Sequence, residues 1–296
     1  MDAPAVIVEL LARLRLLELA RATVHSIAFV GLFFLGIAFL EWLSGTHPRR
    51  YLSRAFLNDV VYSVFYRAGF YSTFIAAAVI NLLQPRLAFM KVDLLTQLPP
   101  VAAYFLYWII ADFLGYWIHR LQHRSRVLWA FHSIHHAPEQ MSFLTSFRLH
   151  PIEQLVTNVI MIGPLLILGI PTVNWLPLVL LQNAFEFAQH AELRWSYGRW
   201  YKIVVSPTFH AFHHSTDRAH YDKNFGKILS VWDFLFGTAV QGERPTRFGI
   251  EGTVIPERLS AQLVAPFRTV LRPWRQPSTP TGPQSVNPPA ETAHTP

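Results

Sequence analysis

The sequence contains no cysteine and few charged residues. Without cysteine the chain can form no disulfide, thiolate nucleophile, iron–sulfur cluster or cysteine-ligated zinc site, so any metal must be bound by nitrogen and oxygen atoms. Charged residues make up 15% of the 296 residues, against about 25% in a typical soluble domain. Together with a hydrophobic content of 52%, the long uncharged runs indicate an integral membrane protein.

Three uncharged runs have the length of membrane-spanning helices. The first covers the nineteen residues 22–40 and the second the eighteen residues 68–85, close to the roughly 20 residues that cross a bilayer. The third covers residues 94–111 and continues past Asp112 to the first histidine cluster.

The longest uncharged run, residues 154–185, has thirty-two residues. One helix of that length would measure about 48 Å, which is too long for a single span. Pro164, Pro171 and Pro177 interrupt the run, so we predict a helical hairpin that turns near residues 169–174. The fold class is then all-α, a polytopic membrane protein with about four transmembrane helices and a histidine-rich helical cap.

Basic residues are distributed unevenly between the two sides of these runs. The loop 84–100 carries only Arg86 and Lys91, whereas the loops on the histidine side carry many more. Cytoplasmic loops are rich in Lys and Arg, so we expect the cap on the cytoplasmic face.

We predict three regions along the chain: an N-terminal amphipathic helix that lies on the membrane or leads into the first span, an embedded domain with its cap, and a disordered Pro-rich tail. Their predicted bounds are residues 1–22, 23–270 and 271–296.

Eight of the fourteen histidines fall into three tight clusters. Residues three or four apart face the same side of a helix, so each cluster would present its imidazoles together. Eight imidazoles exceed the ligand positions of one ion, and imidazole nitrogen suits iron, zinc, copper and nickel. We therefore predict a site for two metal ions. The clustered histidines are His119 and His123, then His132, His135 and His136, and finally His210, His213 and His214.

Two further histidines lie near the clusters in the sequence. His190 follows the predicted hairpin directly, and we predict it as a ligand. His150 stands alone before Pro151. It could cap the hairpin or add a ligand.

Four polar residues are candidates for holding the metal-binding histidines in place. Asp112 lies seven residues before the first cluster, on the same helix face and inside an apolar run. A buried acid there needs a partner, and the second ring N–H of a ligand histidine would be one. Glu186, four residues before His190, could serve likewise. Asp222 and Asn224 follow the third cluster and could do the same or simply form a turn.

The clusters and their flanks resemble the fatty acid hydroxylase / sterol desaturase superfamily of membrane di-iron oxygenases. The matching segments are HRLQH at 119–123, HSIHH at 132–136, RLHPIE at 148–153, and HAFHH with the following DKNFG and WDFLFGT at 210–238. The last two segments are similar to those of alkylglycerol monooxygenases within the superfamily. The similarity covers about residues 100 to 240 and the helices before them.

The resemblance implies two iron ions, O2 as co-substrate and a lipid substrate taken from the bilayer. The product would carry a new hydroxyl group or double bond, or result from ether cleavage after hydroxylation. Some members have HxxxH where this chain has Glu186 and His190, so that end of the site could have one ligand fewer or a carboxylate instead. The implied ligands are His119, His123, His132, His135, His136, His190, His210, His213 and His214.

The resemblance also implies how electrons reach the site. The sequence contains no cytochrome b5 domain, so we expect a separate donor of the cytochrome b5, ferredoxin or flavoprotein type. The net charge of +7 comes with no basic nucleic-acid motif, so no nucleic-acid partner is expected.

The alternative is a histidine-rich membrane zinc protein, either a hydrolase or a metal transporter. A zinc hydrolase would be expected to carry HExxH, which this sequence lacks. A transporter would place its ligands near the bilayer midplane along a path. A b-type haem protein would need histidines within the membrane and far apart in sequence.

Overall fold

The computed structural model describes residues 16–67, 70–169, 176–252 and 255–271, and these residues contain helices but no β-strand. The predicted all-α membrane fold is confirmed. The α-helices of these residues are α1 (Leu16–Leu43), α2 (Arg54–Arg67), α3 (Ala77–Leu87), α4 (Pro100–Arg124), α5 (Arg126–His136), α6 (Pro151–Leu168), α7 (Leu176–His190), α8 (Pro207–His213), α9 (Val231–Leu235) and α10 (Leu259–Leu271). Shorter 3-10 segments are Pro48–Leu52, Ala88–Met90, Leu95–Gln97, Phe143–Phe147, Gly198–Lys202 and Arg218–His220.

Three helices of the described chain, α1, α4 and α6, are long and apolar enough to cross a membrane. The predicted span over residues 68–85 is not among these three helices. It contains a π-helical segment, Tyr71–Ala76, followed by α3, and the apolar helical stretch is Phe74–Met90. At 1.5 Å per residue it measures about 26 Å, short of the roughly 30 Å hydrocarbon core.

The surface of α1 is apolar and open. Only 6% of its most apolar stretch is buried, and Val24, Leu32 and Leu35 are each about two-thirds exposed. An apolar surface of this size is stable against lipid rather than water. The predicted boundary at residue 22 falls inside this continuous helix. Residues 1–15 and 272–296 lie outside the described residues, so the amphipathic segment and the disordered tail stay predictions.

The two limbs of the predicted hairpin are α6 and α7. Pro164 lies inside α6 and does not end it. The helix ends instead at Gly169, whose φ of 88° is a conformation that favours glycine. The turn itself, residues 170–175, lies outside the described residues.

A buried aromatic and aliphatic core, formed by side chains such as Phe56, Phe143 and Phe187, packs α1, α2, α5 and α7 together. Beside it, the buried Asp59 of α2 accepts a 2.5 Å hydrogen bond from Nε of Arg148, just before α6. These contacts fix the positions of α5 and α7, which carry histidines of the clusters, and of the start of α6.

Candidate metal centre

The first five clustered histidines lie on two consecutive helices that meet at Ser125. The side-chain oxygen of Ser125 accepts a hydrogen bond from the backbone N–H of Leu128 and caps α5, a role for which serine is favoured. Ser125 itself is extended, so the chain turns and α5 packs against the end of α4. Hence the imidazoles of the two helices face each other, with the rings of His123 and His136 4.8 Å apart.

The third cluster lies on α8, a short helix whose residues are all buried. Its start is fixed by Ser206, which accepts a 3.1 Å hydrogen bond from the Phe209 backbone N–H, and by Pro207 at the first helical position. α8 packs against α7, which ends at His190. The hairpin therefore returns the chain to the first two clusters.

Nine histidines form two groups. In each group, one nitrogen from every ring lies within 4.8 Å of the chosen nitrogens of the other rings. The structure thus brings together all nine histidines implied by the sequence. The first group contains His119, His123, His132, His136 and His213, and the second contains His135, His190, His210 and His214.

The spacing of the ring nitrogens matches the spacing of ligands around an ion. Nε2 of His136 lies 3.2 Å from Nε2 of both His123 and His132. In the second group, successive Nε2 atoms are 3.0–3.3 Å apart. Nitrogens bound at about 2.1 Å to one ion would be about 3.0–3.4 Å apart in octahedral or tetrahedral geometry. Each group therefore has the dimensions of one ion site.

Hydrogen bonds fix the direction in which the rings point. Nδ1 of His119 donates to the Phe225 carbonyl at 2.9 Å, and Nδ1 of His213 donates to the Lys223 carbonyl at 2.8 Å. Their Nε2 atoms are buried and have no hydrogen-bond partner in the described part of the chain. An unpartnered buried nitrogen costs free energy, and a metal ion in the first group would accept both lone pairs.

Burial keeps the clustered imidazoles outside the spans neutral. It lowers the pKa of His135, His136, His210 and His214 well below the ordinary 6.5, and neighbouring imidazoles add to the effect. Burial also lowers the pKa of His213 to about 3. Neutral imidazole is the form that binds metals, so the rings are ready to bind without losing a proton at neutral pH.

A carboxylate that sequence reasoning did not single out contacts the first group. Oε1 of Glu153 lies 2.6 Å from Nδ1 of His132 and accepts a 3.1 Å hydrogen bond from Gln122. Such a partner fixes the ring and raises the basicity of a ligand. The only signal for it in the sequence is the acid at the end of RLHPIE, in the first turn of α6.

His150, for which the sequence left capping and metal binding open, belongs to neither group. Its Nδ1 accepts a 3.1 Å hydrogen bond from the Ile152 backbone N–H and caps α6. Its Nε2 donates to the Leu263 carbonyl, also at 3.1 Å. Both ring nitrogens are therefore engaged in protein hydrogen bonds, and the helix-capping alternative describes the residue.

Asp112 has partners other than the predicted histidine. Its carboxylate accepts hydrogen bonds from the backbone N–H groups of Ile228 and Leu229 and from Nε1 of Trp232, at 2.8–3.2 Å. The reason is geometric. The chain after the third cluster packs against α4 seven residues before His119. Its backbone N–H groups there donate to Asp112. Asp112 therefore fastens residues 228–232 to α4.

Glu186 likewise meets His190 differently from the prediction. The backbone carbonyl of Glu186 accepts from Nδ1 of His190 at 3.2 Å. Its carboxylate instead accepts a 3.3 Å hydrogen bond from Gln182. The side chain lines a cavity beside the histidines.

Asp222 and Asn224 have different roles in the turn after α8. Oδ1 of Asp222 lies 3.8 Å from Nδ1 of His123, which is longer than a hydrogen bond. Asn224 is fully buried with φ of 55°, and it hydrogen-bonds the Phe209 carbonyl and both backbone groups of Val240. Asn224 thereby fixes the turn rather than a histidine.

Asp233 is a second carboxylate that sequence reasoning missed. It accepts hydrogen bonds from the backbone N–H groups of Phe225 and Gly226, at 2.8 and 2.7 Å, and from the Thr238 hydroxyl at 2.7 Å. This holds the Phe225 carbonyl that accepts from His119. The WDFLFGT segment contains the residue, but its spacing to the histidines gives no signal of the contact.

A cavity of about 340 Å³ adjoins both groups. His119 and His132 of the first group and His135, His190 and His210 of the second contribute to its wall. A bound molecule would therefore be next to both candidate ion sites at once.

Comparison with known proteins is consistent with this arrangement. The model of the fatty acid hydroxylase family matches residues 104–238, a range that contains all nine grouped histidines. No solved structure matches the chain.

Several curated proteins are similar to the chain. It is 30% identical to the ornithine lipid hydroxylase of Rhizobium tropici over 217 residues, 71% of this chain and 65% of that protein. It is 33% identical to human alkylglycerol monooxygenase over 127 residues, 43% of this chain and 28% of that protein. It is 28% identical to methylsterol monooxygenase 1-3 of Arabidopsis thaliana over 140 residues, 47% of this chain and 48% of that protein. The chain thus spans less than two thirds of each of these relatives.

Proposed function

We propose, from the premise that residues 104–238 form a fatty acid hydroxylase domain, that the chain is a membrane-bound, O2-dependent di-iron oxidoreductase acting on a C–H bond of a lipid. The observation that carries the proposal is the pair of imidazole groups. Five histidines converge in one and four in the other, all with a nitrogen directed inward. All-nitrogen sites of this kind suit iron.

Iron bound by the two groups would supply the power to activate O2 and oxidise an unactivated C–H bond. For hydroxylation the balance is one C–H bond and O2 converted to C–OH and water, with two electrons and two protons from outside. A separate cytochrome b5, ferredoxin or flavoprotein would provide the electrons. Desaturation and ether cleavage would also begin with removal of a hydrogen atom from a C–H bond.

The residues of this chain would perform three tasks. Carbonyls and carboxylates hold the Nδ1 atoms, as Phe225 does for His119 and Glu153 for His132, so the ring directions are set before any ion binds. Burial shields the histidines from bulk solvent. The adjoining cavity places a bound lipid beside both groups.

We also propose that the site faces the cytoplasm. The excess of Arg and Lys in the loops on the histidine side supports this orientation, because cytoplasmic loops carry such an excess.

The test is metal analysis and turnover of the full-length protein and of one variant from each group, His213→Ala and His135→Ala. We expect about two irons per chain in the wild type, at most one in each variant, and an O2-dependent product 16 mass units heavier or 2 lighter than the lipid only in the wild type. The matched control is His25→Ala, an exposed histidine on α1. Full iron and full turnover in either variant would contradict the assignment, and one zinc per chain would favour the zinc alternative.

A further inference from the structure

An apolar groove of about 470 Å³ lies between α1 and α7. Gly36 of α1 and Ala184 and Ala188 of α7 line it, and because these residues are small, they leave the space between the two helices unfilled. Among the described residues, the wall consists only of apolar and aromatic residues and includes none of the grouped histidines. The volume lies within the roughly 300–1,000 Å³ of ligand-binding pockets.

Helix α7 separates this groove from the cavity beside the histidines. Glu186 and His190 line the cavity, whereas Ala184 and Ala188 line the groove. Residues four apart share one helix face, and the two pairs are offset by two residues, which is about 200° around the helix. A molecule in the groove is therefore on the opposite side of α7 from the candidate ion sites.

The groove opens on the part of the surface that is suited to lipid. Leu32 of α1 and Leu181 of α7 lie in its wall and are exposed. α1 is a candidate membrane span, and its surface is almost entirely unburied within the protein. Hydrocarbon rather than water is the stable neighbour of such a surface. We therefore expect an alkyl chain to fill the groove.

One end of the groove is closed by the chain that follows α7. The ends of α1 and α7 are adjacent there, since the backbone N–H of Glu192 donates to the carboxylate of Glu41 at 2.7 Å. Leu193, Trp195 and Tyr197 then cover the groove. This end lies on the histidine side of the membrane helices, because α7 ends at His190.

The covering segment carries positive charge without a matching acid. Residues 193–203 contain three basic residues and no Asp or Glu. The acid just before them, Glu192, already contacts Arg50 and Arg244, at 3.8 and 3.5 Å. The three basic residues are exposed, and none of them forms a salt bridge within the described part of the chain. They are Arg194, Arg199 and Lys202.

Aromatic rings accompany these cations. The guanidinium of Arg199 lies 5.4 Å from the centre of the Trp200 ring, and Nζ of Lys202 lies 6.0 Å from the centre of the Tyr201 ring. Trp and Tyr are enriched at the headgroup level of a membrane, and clusters of Lys and Arg beside membrane helices attract anionic lipids. The segment is thus suited to a phosphate group, directly beside a groove suited to an acyl chain.

We infer that the groove between α1 and α7 binds an anionic phospholipid of the surrounding membrane, with an acyl chain in the groove and the phosphate beside Arg199 and Lys202. This lipid is a bound component that joins α1 to α7, and it is not the molecule that reacts, because α7 separates it from the histidines. The inference needs α1 and α7 to lie in a membrane and does not depend on the proposed function.

The binding experiment compares two lipids with identical acyl chains. Dioleoylphosphatidylglycerol is anionic, whereas dioleoylphosphatidylcholine has no net charge. Each is titrated into the delipidated full-length protein in a non-ionic detergent, and bound lipid is counted by native mass spectrometry. We expect the anionic lipid to bind at least about tenfold more tightly at low salt, because each nearby Lys or Arg favours an anionic headgroup by a factor of about five. Equal affinity for the two lipids, or binding of neither, would overturn the inference.

The charge variant is Arg199→Gln combined with Lys202→Gln. It should weaken binding of phosphatidylglycerol by about tenfold or more and change binding of phosphatidylcholine by less than about twofold. The matched control, Arg86→Gln with Lys91→Gln, removes one Arg and one Lys from the loop 84–100, which does not line the groove. If the control weakens phosphatidylglycerol binding as much as the variant does, the effect is one of net charge and the inference is wrong.

The groove variant is Gly36→Leu. A Cβ at Gly36 would meet no atom within 4 Å, so the larger side chain has room, and leucine also favours the helix over glycine. By occupying the groove it should weaken binding of both lipids by about tenfold. Gly31→Leu is the matched control, because it makes the same change in α1, also into open space, but outside the groove. Its lipid binding should stay within about twofold of the wild type.

Two results with these variants would contradict the inference. Unchanged lipid binding by folded Gly36→Leu would mean that the groove is not the site. A wild-type dimer in light scattering that dissociates in Gly36→Leu but not in Gly31→Leu would assign the groove to a second copy of the chain instead. If Gly36→Leu fails to fold, the charge variant and its control still decide the question.

Discussion

Replacing Glu153 tests how far metal affinity depends on groups outside the imidazoles. The carboxylate is buried, and it joins the first histidine group to α6 through its 2.6 Å contact with His132. Glu153→Gln preserves the size and one acceptor oxygen but removes the charge. Glu153→Ala removes the partner entirely, and it leaves Nδ1 of His132 and the amide of Gln122 without this acceptor.

The expected size of the effect follows from the contact. Loss of a hydrogen-bonding partner of a metal-bound histidine typically costs 10–100-fold in metal affinity, which corresponds to about 1.4–2.7 kcal/mol. Glu153→Gln should lie near the lower limit, because the amide oxygen can still accept from the ring. Glu153→Ala should lie near the upper limit, because the ring also loses its fixed orientation.

The assay is competition between the protein and a chelator of known iron affinity, with iron content measured after equilibration. Glu186→Gln is the matched control. Glu186 lines the same cavity, but its carboxylate hydrogen-bonds Gln182, so iron affinity should change by less than about twofold. If Glu153→Ala binds both irons as tightly as the wild type does, the carboxylate does not support the metal site and our reasoning about His132 is wrong.

Two other predictions concern stability. Asp112→Asn should lower the melting temperature, because three donors including Trp232 lose a charged acceptor. Iron per folded chain should stay near the wild-type value. A loss of iron without a loss of stability would contradict this prediction. The metal-free protein should lose stability as the pH falls below about 6.5, because the unfolded chain then takes up protons that the buried His210, His213 and His214 resist. The slope should reach up to about 1.4 kcal/mol per pH unit for each such histidine, and melting curves between pH 5 and 7.5, compared with those of the iron-loaded protein, measure it.

The parts of the site that could be predicted from sequence are those with helical periodicity. Histidines at i, i+3 and i+4 must share a helix face, and an apolar run too long for one span had to return the chain to its starting side. Both inferences depend only on local geometry. The membrane character followed in the same way from uncharged runs.

The contacts of single polar residues could not be predicted, because they depend on loops that pack from elsewhere in the chain. Asp112 is in register with His119 on α4, yet its nearest donors come from residues 228–232. Glu153 is distant in sequence from His132 and reaches it only because α6 packs against α5. The π-helical segment at Tyr71–Ala76 was likewise not predicted, because it has no sequence signal in the uncharged run.

Helical periodicity does not predict how the histidines divide between the two groups. In HSIHH, the i and i+4 residues His132 and His136 join the first group while His135 joins the second. In HAFHH the pattern is reversed, since His210 and His214 join the second group and His213 the first. Each of these two clusters, HSIHH and HAFHH, therefore supplies two rings to one group and one ring to the other. Neither group can form from one helix alone, so we expect both to assemble only when α5 and α8 pack together, and binding of an ion at one group to favour the packing that the other requires.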